Sequence, residues 1–232
     1  MLVYGRNVAR ELLNKDKKIL KIILQDGFDD KNIISLIEKN NLPVTYKSKR
    51  EIDNLAKGVH QGIILSIPDY QYKSMEDILE KDLSFVVILD HIEDPHNFGA
   101  IIRTCEAASV DAIIIPKDRQ VQVNSTVMKT SAGTLDDVNI ISVVNLTNAI
   151  EKLKDAGFWV VGTSLDTSLS YKDVDYNTKI ALVIGNEGKG MSNIVGKACD
   201  YVVKIPMYGK TNSLNASVAA GIMIYEVIRN RK

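Results

Sequence analysis

Three polar loops hold most of the side chains in this sequence that are equipped for chemistry. The first is Asp90 to Arg103, DHIEDPHNFGAIIR. Asn97 offers an amide there, and Arg103, six residues on, offers a planar guanidinium suited to phosphate or carboxylate. With Gly99 permitting a tight entry and a helix opening near Phe98, Arg103 falls about 1.5 turns in, and its long side chain reaches back to the loop. The second loop is Gly185 to Gly190, GNEGKG. Its three glycines let backbone approach a flat ligand, and Glu187 is an acceptor. Neither common phosphate loop fits. Gly188-Lys189 is followed by Gly190 where one pattern needs Ser or Thr, and Gly188-x-Gly190 runs on to Asn193 where the other needs Gly. The third loop, Pro206 to Asn215, carries Lys210, Thr211, Asn212, Ser213 and Asn215. It leads into a helix whose first N–H groups face the loop, capped by Ser213 or a neighbouring Asn.

Each loop has an ordinary explanation on its own: a salt-bridged arginine, a plain turn, a capped core helix. Three together at one sheet edge are a stronger signal. His91 and His96 flank Glu93 and Asp94, yet no further ligand follows at metal-site spacing, so a solvated loop is expected and no metal. In the closing helix Val218, Ile222 and Tyr225 recur at i, i+4 and i+7, the spacing of a buried face. Gly221 costs about 1 kcal/mol relative to Ala inside a helix, so close packing is expected there.

The loops need a scaffold, and the apolar pattern supplies one. Phe85–Asp90 (FVVILD) is a continuous apolar run, as in a parallel sheet covered on both faces. Strands are expected at 112–115, 138–143, 158–162, 180–184 and 201–205. Helices are expected over 97–109, 124–132, 145–156 and 191–197 and at the end of the chain. Strand and helix alternate, so the class is α/β with a mostly parallel sheet. Ligands in such sheets sit outside the carboxyl ends of the strands, where all three loops emerge. The first seventy residues read as a separate α-β-α-β-α-β unit: helix 4–14, strand 19–24, helix 30–40, strand 43–46, a helix from Ser48 to Ala56, and strand 62–67. The change of character at Pro68–Lys73 (PDYQYK) marks the boundary, giving domains 1–70 and 74–232. His60, in a glycine-framed turn, is either an RNA contact or simply solvent-exposed.

The 232 residues are ample for two cores, and 45% hydrophobic with 25% charged residues is ordinary for a globular protein. No apolar run reaches membrane-span length, and the N-terminus lacks a secretory pattern, so the cytoplasm is expected. Two cysteines, Cys105 and Cys199, make neither a disulfide framework nor a zinc site. Net charge is zero, which argues against a protein that coats nucleic acid. Residues 1–73, however, hold 13 Lys and Arg against 9 Asp and Glu, a basic front half on an acidic body.

Together the motifs Asn97-Phe98-Gly99-Ala100-Ile101-Ile102-Arg103, Gly185-Asn186-Glu187-Gly188-Lys189-Gly190-Met191-Ser192, and Ile205-Pro206-Met207 with Ser213-Leu214-Asn215-Ala216-Ser217-Val218-Ala219 resemble the SpoU (TrmH-type) family of RNA ribose 2′-O-methyltransferases in the SPOUT superfamily. The front unit, ending in His60-Gln61-Gly62-Ile63, resembles the small RNA-binding domain that many members carry. The layout is closest to bacterial enzymes that methylate a guanosine ribose of 23S rRNA.

The resemblance implies a deep trefoil knot in the second domain, with S-adenosylmethionine held by backbone near Gly185, Ile205 and Leu214 and with Thr163 lining the pocket. It implies Arg103 as the catalytic arginine, with Asn97, Glu187, Ser213 and Asn215 around it, and a homodimer to which the last helix contributes. Arginine is a poor base. Arg103 is therefore expected to orient ribose and phosphate while Ser213, Asn215 or water takes the proton. Another RNA (a tRNA ribose or a different rRNA site), an RNA-binding relative without activity, and a nucleotide-binding metabolic enzyme are the competing readings.

Overall fold

A computed structural model describes residues 1–15, 18–56 and 58–231. They form two compact units, Met1–Gln71 with Val123–Lys129, and Tyr72–Gln122 with Thr130–Lys232.

The first unit runs β1 (Leu2–Tyr4), α1 (Arg6–Asn14), β2 (Lys21–Gln25), α2 (Lys31–Lys39), β3 (Val44–Lys47), α3 (Lys49–Leu55) and β4 (Ile63–Ser66). Its sheet has the order β1-β4-β2-β3, with β4 antiparallel to both neighbours and β2 parallel to β3. A helix expected from residue 4 proves to begin at Arg6, because Leu2–Tyr4 pairs with β4 as an edge strand. Three residues are too few to show a period of two. Ser48 caps α3 through a reciprocal box with Glu51, whose carboxyl is held down at about 2 by hydrogen bonds from Lys47 and Ser48. His60 braces its turn rather than facing water: Nδ1 accepts from the Gly62 N–H at 3.0 Å, and Nε2 lies 2.8 Å from Asp53.

The second unit opens with α4 (Met75–Leu79), a helix with no forecast, which Ser74 caps. It continues through β5 (Phe85–Asp90), α5 (Pro95–Ala107), β6 (Ala112–Pro116), α6 (Ser125–Thr130, most of it grouped with the first unit), β7 (Ile140–Val143) and α7 (Leu146–Asp155). Then follow β8 (Trp159–Thr163), β9 (Ile180–Gly185), α8 (Asn193–Ala198), β10 (Tyr201–Val203) and α9 (Ala216–Asn230). The sheet is parallel throughout, in the order β10-β8-β9-β5-β6-β7. All six residues of β5 are buried, as a centrally placed strand requires. Asp90 and Gly185 pair at the carboxyl ends of β5 and β9, so the loops that follow these two strands start side by side.

The closing helix turns the other way from its expected orientation. Val218 and Tyr225 are 49% and 51% exposed and Ile222 is half-buried, while Ala216, Ala220, Met223, Ile224 and Val227 form the inward face against α5 and β9. Because α9 is apolar on more than one side, periodicity alone could not choose between them. Gly221 follows suit, since a Cβ built there meets no atom within 4 Å in this chain. No helix among the described residues is long and apolar enough to cross a membrane.

Candidate functional site

The loop after β5 ends earlier than its sequence indicates. Asp94, not a residue near Phe98, caps α5 and accepts from the His96 N–H at 2.9 Å, with Pro95 in the first helical position. Asn97 therefore lies in the first turn, where it is buried. Its side-chain N–H donates to Glu187 Oε1, and its Oδ1 accepts from Asn215 Nδ2 at 2.8 Å. A carboxylate only accepts, which fixes the Asn97 amide one way round and leaves its oxygen for Asn215. Asn215 in turn caps α9, its Oδ1 accepting from the N–H groups of Ser217 and Val218 at 2.9 and 3.4 Å. Asn215 thus provides the cap, and Ser213 does not. One hydrogen-bonded chain, Asn215 to Asn97 to Glu187, joins the three polar loops across ninety and more residues of sequence.

Truncating the middle of that chain strands both ends. Asn97→Ala should lower the unfolding free energy by about 1–3 kcal/mol, the cost of leaving Glu187 and Asn215 without their partner in a part-buried setting. Urea unfolding measures this directly.

The GNEGKG loop owes its shape to backbone pairing and to Asn186. Asn186 and Gly190 exchange two backbone hydrogen bonds, N to O at 3.1 Å and 2.8 Å, and Gly190 closes the turn at φ +66°. Asn186 Oδ1 accepts from the N–H of Gly188 at 2.9 Å, while its Nδ2 donates to the His91 carbonyl at 2.9 Å. So tight is the fold-back that a Cβ on Gly185 would overlap the Gly190 and Met191 backbone.

Between this loop, the ends of β8 and β10, and the start of α9 lies a cavity of about 430 Å³, a size ordinary for a small-molecule site. Gly185, Ile205, Leu214 and Thr163 all line it, as do Glu187 and Ser213. Thr163 Oγ1 donates to the Val183 carbonyl at 3.3 Å, tying β8 to β9 beneath the opening. The Ser213 side chain is exposed and makes no hydrogen bond among the described residues.

Arg103 stands apart. Six helical residues carry it about 240° around α5 from Asn97, onto an exposed stripe with His96 and Ala107. It does not reach back to the loop: its guanidinium has no hydrogen-bond or ion-pair partner among the described residues, and it does not line the cavity. His91 pairs with Asp90, Nδ1 to Oδ1 at 2.5 Å, and no group of three or more His, Cys, Asp or Glu among the described residues is arranged to hold a metal. Burial pushes the Cys199 thiol up to about 12 and raises Cys105 as well, so neither is a ready nucleophile.

Two organising residues escaped the sequence reading. Asp90 is 1% exposed and accepts from the Ser192 N–H at 2.6 Å, fastening the segment after GNEGKG to the end of β5. Asn186 is the other. A polar residue closing an apolar strand, and an asparagine beside glycine, were the available signals.

The profile of the SpoU rRNA Methylase family matches residues 84–225. That of RNA 2′-O ribose methyltransferase substrate binding matches residues 2–73. A Staphylococcus epidermidis protein provisionally named as a TrmH family tRNA/rRNA methyltransferase is 41% identical over 100% of this chain and 96% of its own length. Among solved structures, the A. aeolicus TrmH/SpoU tRNA modifying enzyme is 34% identical, covering 68% of this chain and 80% of its own, with a TM-score of 0.60. The SpoU methyltransferase AviRb from Streptomyces viridochromogenes, solved with AdoMet, shares the fold at 23% identity and a TM-score of 0.81, covering 100% of this chain and 90% of its own.

Proposed function

This chain belongs to the SpoU rRNA methylase family of RNA methyltransferases, and from that premise we propose that it transfers the methyl group of S-adenosylmethionine to a ribose 2′-hydroxyl, in the cytoplasm, with a guanosine of 23S rRNA as the target. The observation that carries this reading is the hydrogen-bonded chain of Asn215, Asn97 and Glu187, which ties the three loops together beside one cavity that Glu187, Ser213 and Leu214 line.

The cavity suits the donor. Gly185, where the Gly190 and Met191 backbone leaves no room for a side chain, brings bare main chain to the cavity wall, and backbone at Ile205 and Leu214, with Thr163 beside it, offers the polar groups an adenosine needs. The donor supplies an electrophilic methyl on a cationic sulfur. Glu187, oriented by Asn97, puts a carboxylate in the same cavity as that positive charge. Since the cation is neutralised as the methyl leaves, positioning and exclusion of water count for more than covalent catalysis.

Arg103 grips the ribose and its neighbouring phosphate. Its unpartnered fork is available for this, and its proton is not available to be lost. Asn215 is committed to its cap and to Asn97, which leaves Ser213 with solvent water to relay the 2′-OH proton. Residues 1–70 present the RNA and 74–232 form the catalytic domain, with the trefoil knot of the family around the cavity.

The protein works as a homodimer. Val218, Ile222 and Tyr225 form an apolar stripe left uncovered on α9, and Gly221 within it has room for a second chain to approach. Sedimentation equilibrium should read twice the 25.7 kDa chain mass.

The function is tested by incubating the protein with labelled donor and separate, unmodified pools of 23S rRNA and tRNA, then mapping ribose methylation. Label at a 2′-O position in 23S rRNA is the expected result. Label in tRNA alone moves the substrate to the other branch of the family, and label in neither leaves an inactive RNA-binding relative.

A further inference from the structure

A second cavity, of about 490 Å³, opens over the carboxyl ends of β5, β6 and β7, on the other side of the GNEGKG loop from the donor cavity. The two share Asn186, Lys189 and Gly190 as a common wall. The segments that carry its lining residues are cross-braced. Buried Gln120 accepts from the Ile92 N–H at 2.7 Å, the Val121 N–H donates to the Ile92 carbonyl at 2.9 Å, and Asn186 holds the His91 carbonyl. Two of its lining residues, His91 and Arg119, occupy left-handed backbone at φ +64° and +52°. Strained conformations of this kind persist where surrounding contacts over-determine them, and they cluster at functional sites.

What this braced framework displays is specific. The Arg119 guanidinium and the Lys189 ammonium are exposed and have no hydrogen-bond or ion-pair partner among the described residues. Beside them Val144 and Ile194 are 79% and 71% exposed. Free cations next to uncovered aliphatic side chains match one nucleotide unit, which is a phosphate joined to a flat, largely apolar base. Glu93 adds an acceptor for a base amine.

We propose that this cavity receives an unpaired nucleotide of the substrate RNA adjacent to the one methylated, its phosphate on Arg119 and Lys189 and its base against Val144 and Ile194. The inference rests on the RNA-methylating reading above and deepens it. An RNA strand whose ribose lies at the donor cavity has only the 186–190 loop to cross before entering this one. The cavity then reads sequence beside the target.

The test uses the full chain and unmodified 23S rRNA and tRNA transcripts, with affinity read by filter binding between 50 and 200 mM salt. On the RNA that binds wild type, Arg119→Ala should weaken binding at least fivefold and reduce the slope of log affinity against log salt by about one, the signature of one lost phosphate contact. Arg119→Lys should keep the slope, which a merely structural arginine would not explain. The double variant Val144→Ser with Ile194→Ser should weaken binding at least fivefold with the slope unchanged. Affinities within twofold of wild type for both Arg119→Ala and the double variant overturn the proposal. So does a change in affinity for S-adenosylhomocysteine rather than for RNA, which would make the cavity part of the donor site. Wild type that binds RNA but neither binds donor nor transfers methyl overturns the methyltransferase reading instead, and the variants still report on the cavity.

Discussion

Arg103→Ala should lower the turnover of methyl transfer at least 100-fold while leaving the fold and the donor affinity as they were. That pairing of effects is unusual for a buried active-site residue, and it follows from where Arg103 lies. The side chain is exposed and bonded to nothing among the described residues, so removing it costs within about 0.5 kcal/mol of stability, as for surface substitutions generally. It does not line the cavity beside Gly185, so the affinity for S-adenosylhomocysteine should change less than twofold. What is lost, on the proposed role, is the grip on ribose and phosphate at the moment of transfer. A hundredfold loss corresponds to about 2.7 kcal/mol of transition-state stabilisation, in the range found for a single preorganised donor. Arg103→Lys keeps the charge and loses the fork, and it should still lose at least tenfold. Near-full turnover in the lysine variant would sink the orienting role. Single-turnover methylation, thermal melting and calorimetry on the same samples separate the three quantities.

Gly185→Ala should weaken donor binding at least tenfold. Its Cβ would overlap backbone atoms of Gly190 and Met191, and backbone cannot swing aside as a flexible side chain does. Either the two exchanged hydrogen bonds between Asn186 and Gly190 break, or β9 shifts against β5 and β8. Overpacking of this kind typically costs about 1–3 kcal/mol in stability. The cavity wall moves with it, so the affinity for S-adenosylhomocysteine should fall at least tenfold. Gly188→Ala is the matched control. Its added Cβ would sit 3.6 Å from Asn186 Oδ1, an ordinary contact, and donor affinity should stay within threefold. Equal behaviour of the two variants, read as ligand-induced shifts in melting temperature, would mean that the close approach at Gly185 does not shape the site.

The scaffold was legible in the sequence because its signal is local. Runs such as FVVILD and the alternation with amphipathic stretches place nearly every strand of the second unit within two residues. The loops were legible too, since polar and glycine residues after an apolar strand have few other reasons to be there. The errors came where the deciding neighbour is distant. Leu2–Tyr4 is a strand because β4, some sixty residues later, offers it an edge. Val218 and Tyr225 face outward because α5 and β9 take the other side of α9, and an apolar helix carries no mark of which side that will be. Asn97 stands out in the sequence as a polar residue of the first loop, yet its tie to Glu187 and Asn215 spans ninety and more residues and has no local signature. The ties of Asp90 to Ser192 and of Asn186 to His91 are equally long-range. Each acts by holding a loop in place, and loop-to-loop hydrogen bonds cannot be read from spacing.

All of this turns on whether the cavity beside Gly185 is a donor site. Isothermal titration of S-adenosylhomocysteine into the protein asks that question without knowing the RNA. The expected result is saturable binding, one molecule per chain, with an affinity in the micromolar range (on the order of 1–100 μM, as for typical enzyme substrates), which Gly185→Ala weakens at least tenfold and Arg103→Ala leaves in place. No heat of binding and no rise in melting temperature at millimolar ligand would contradict the account at its base.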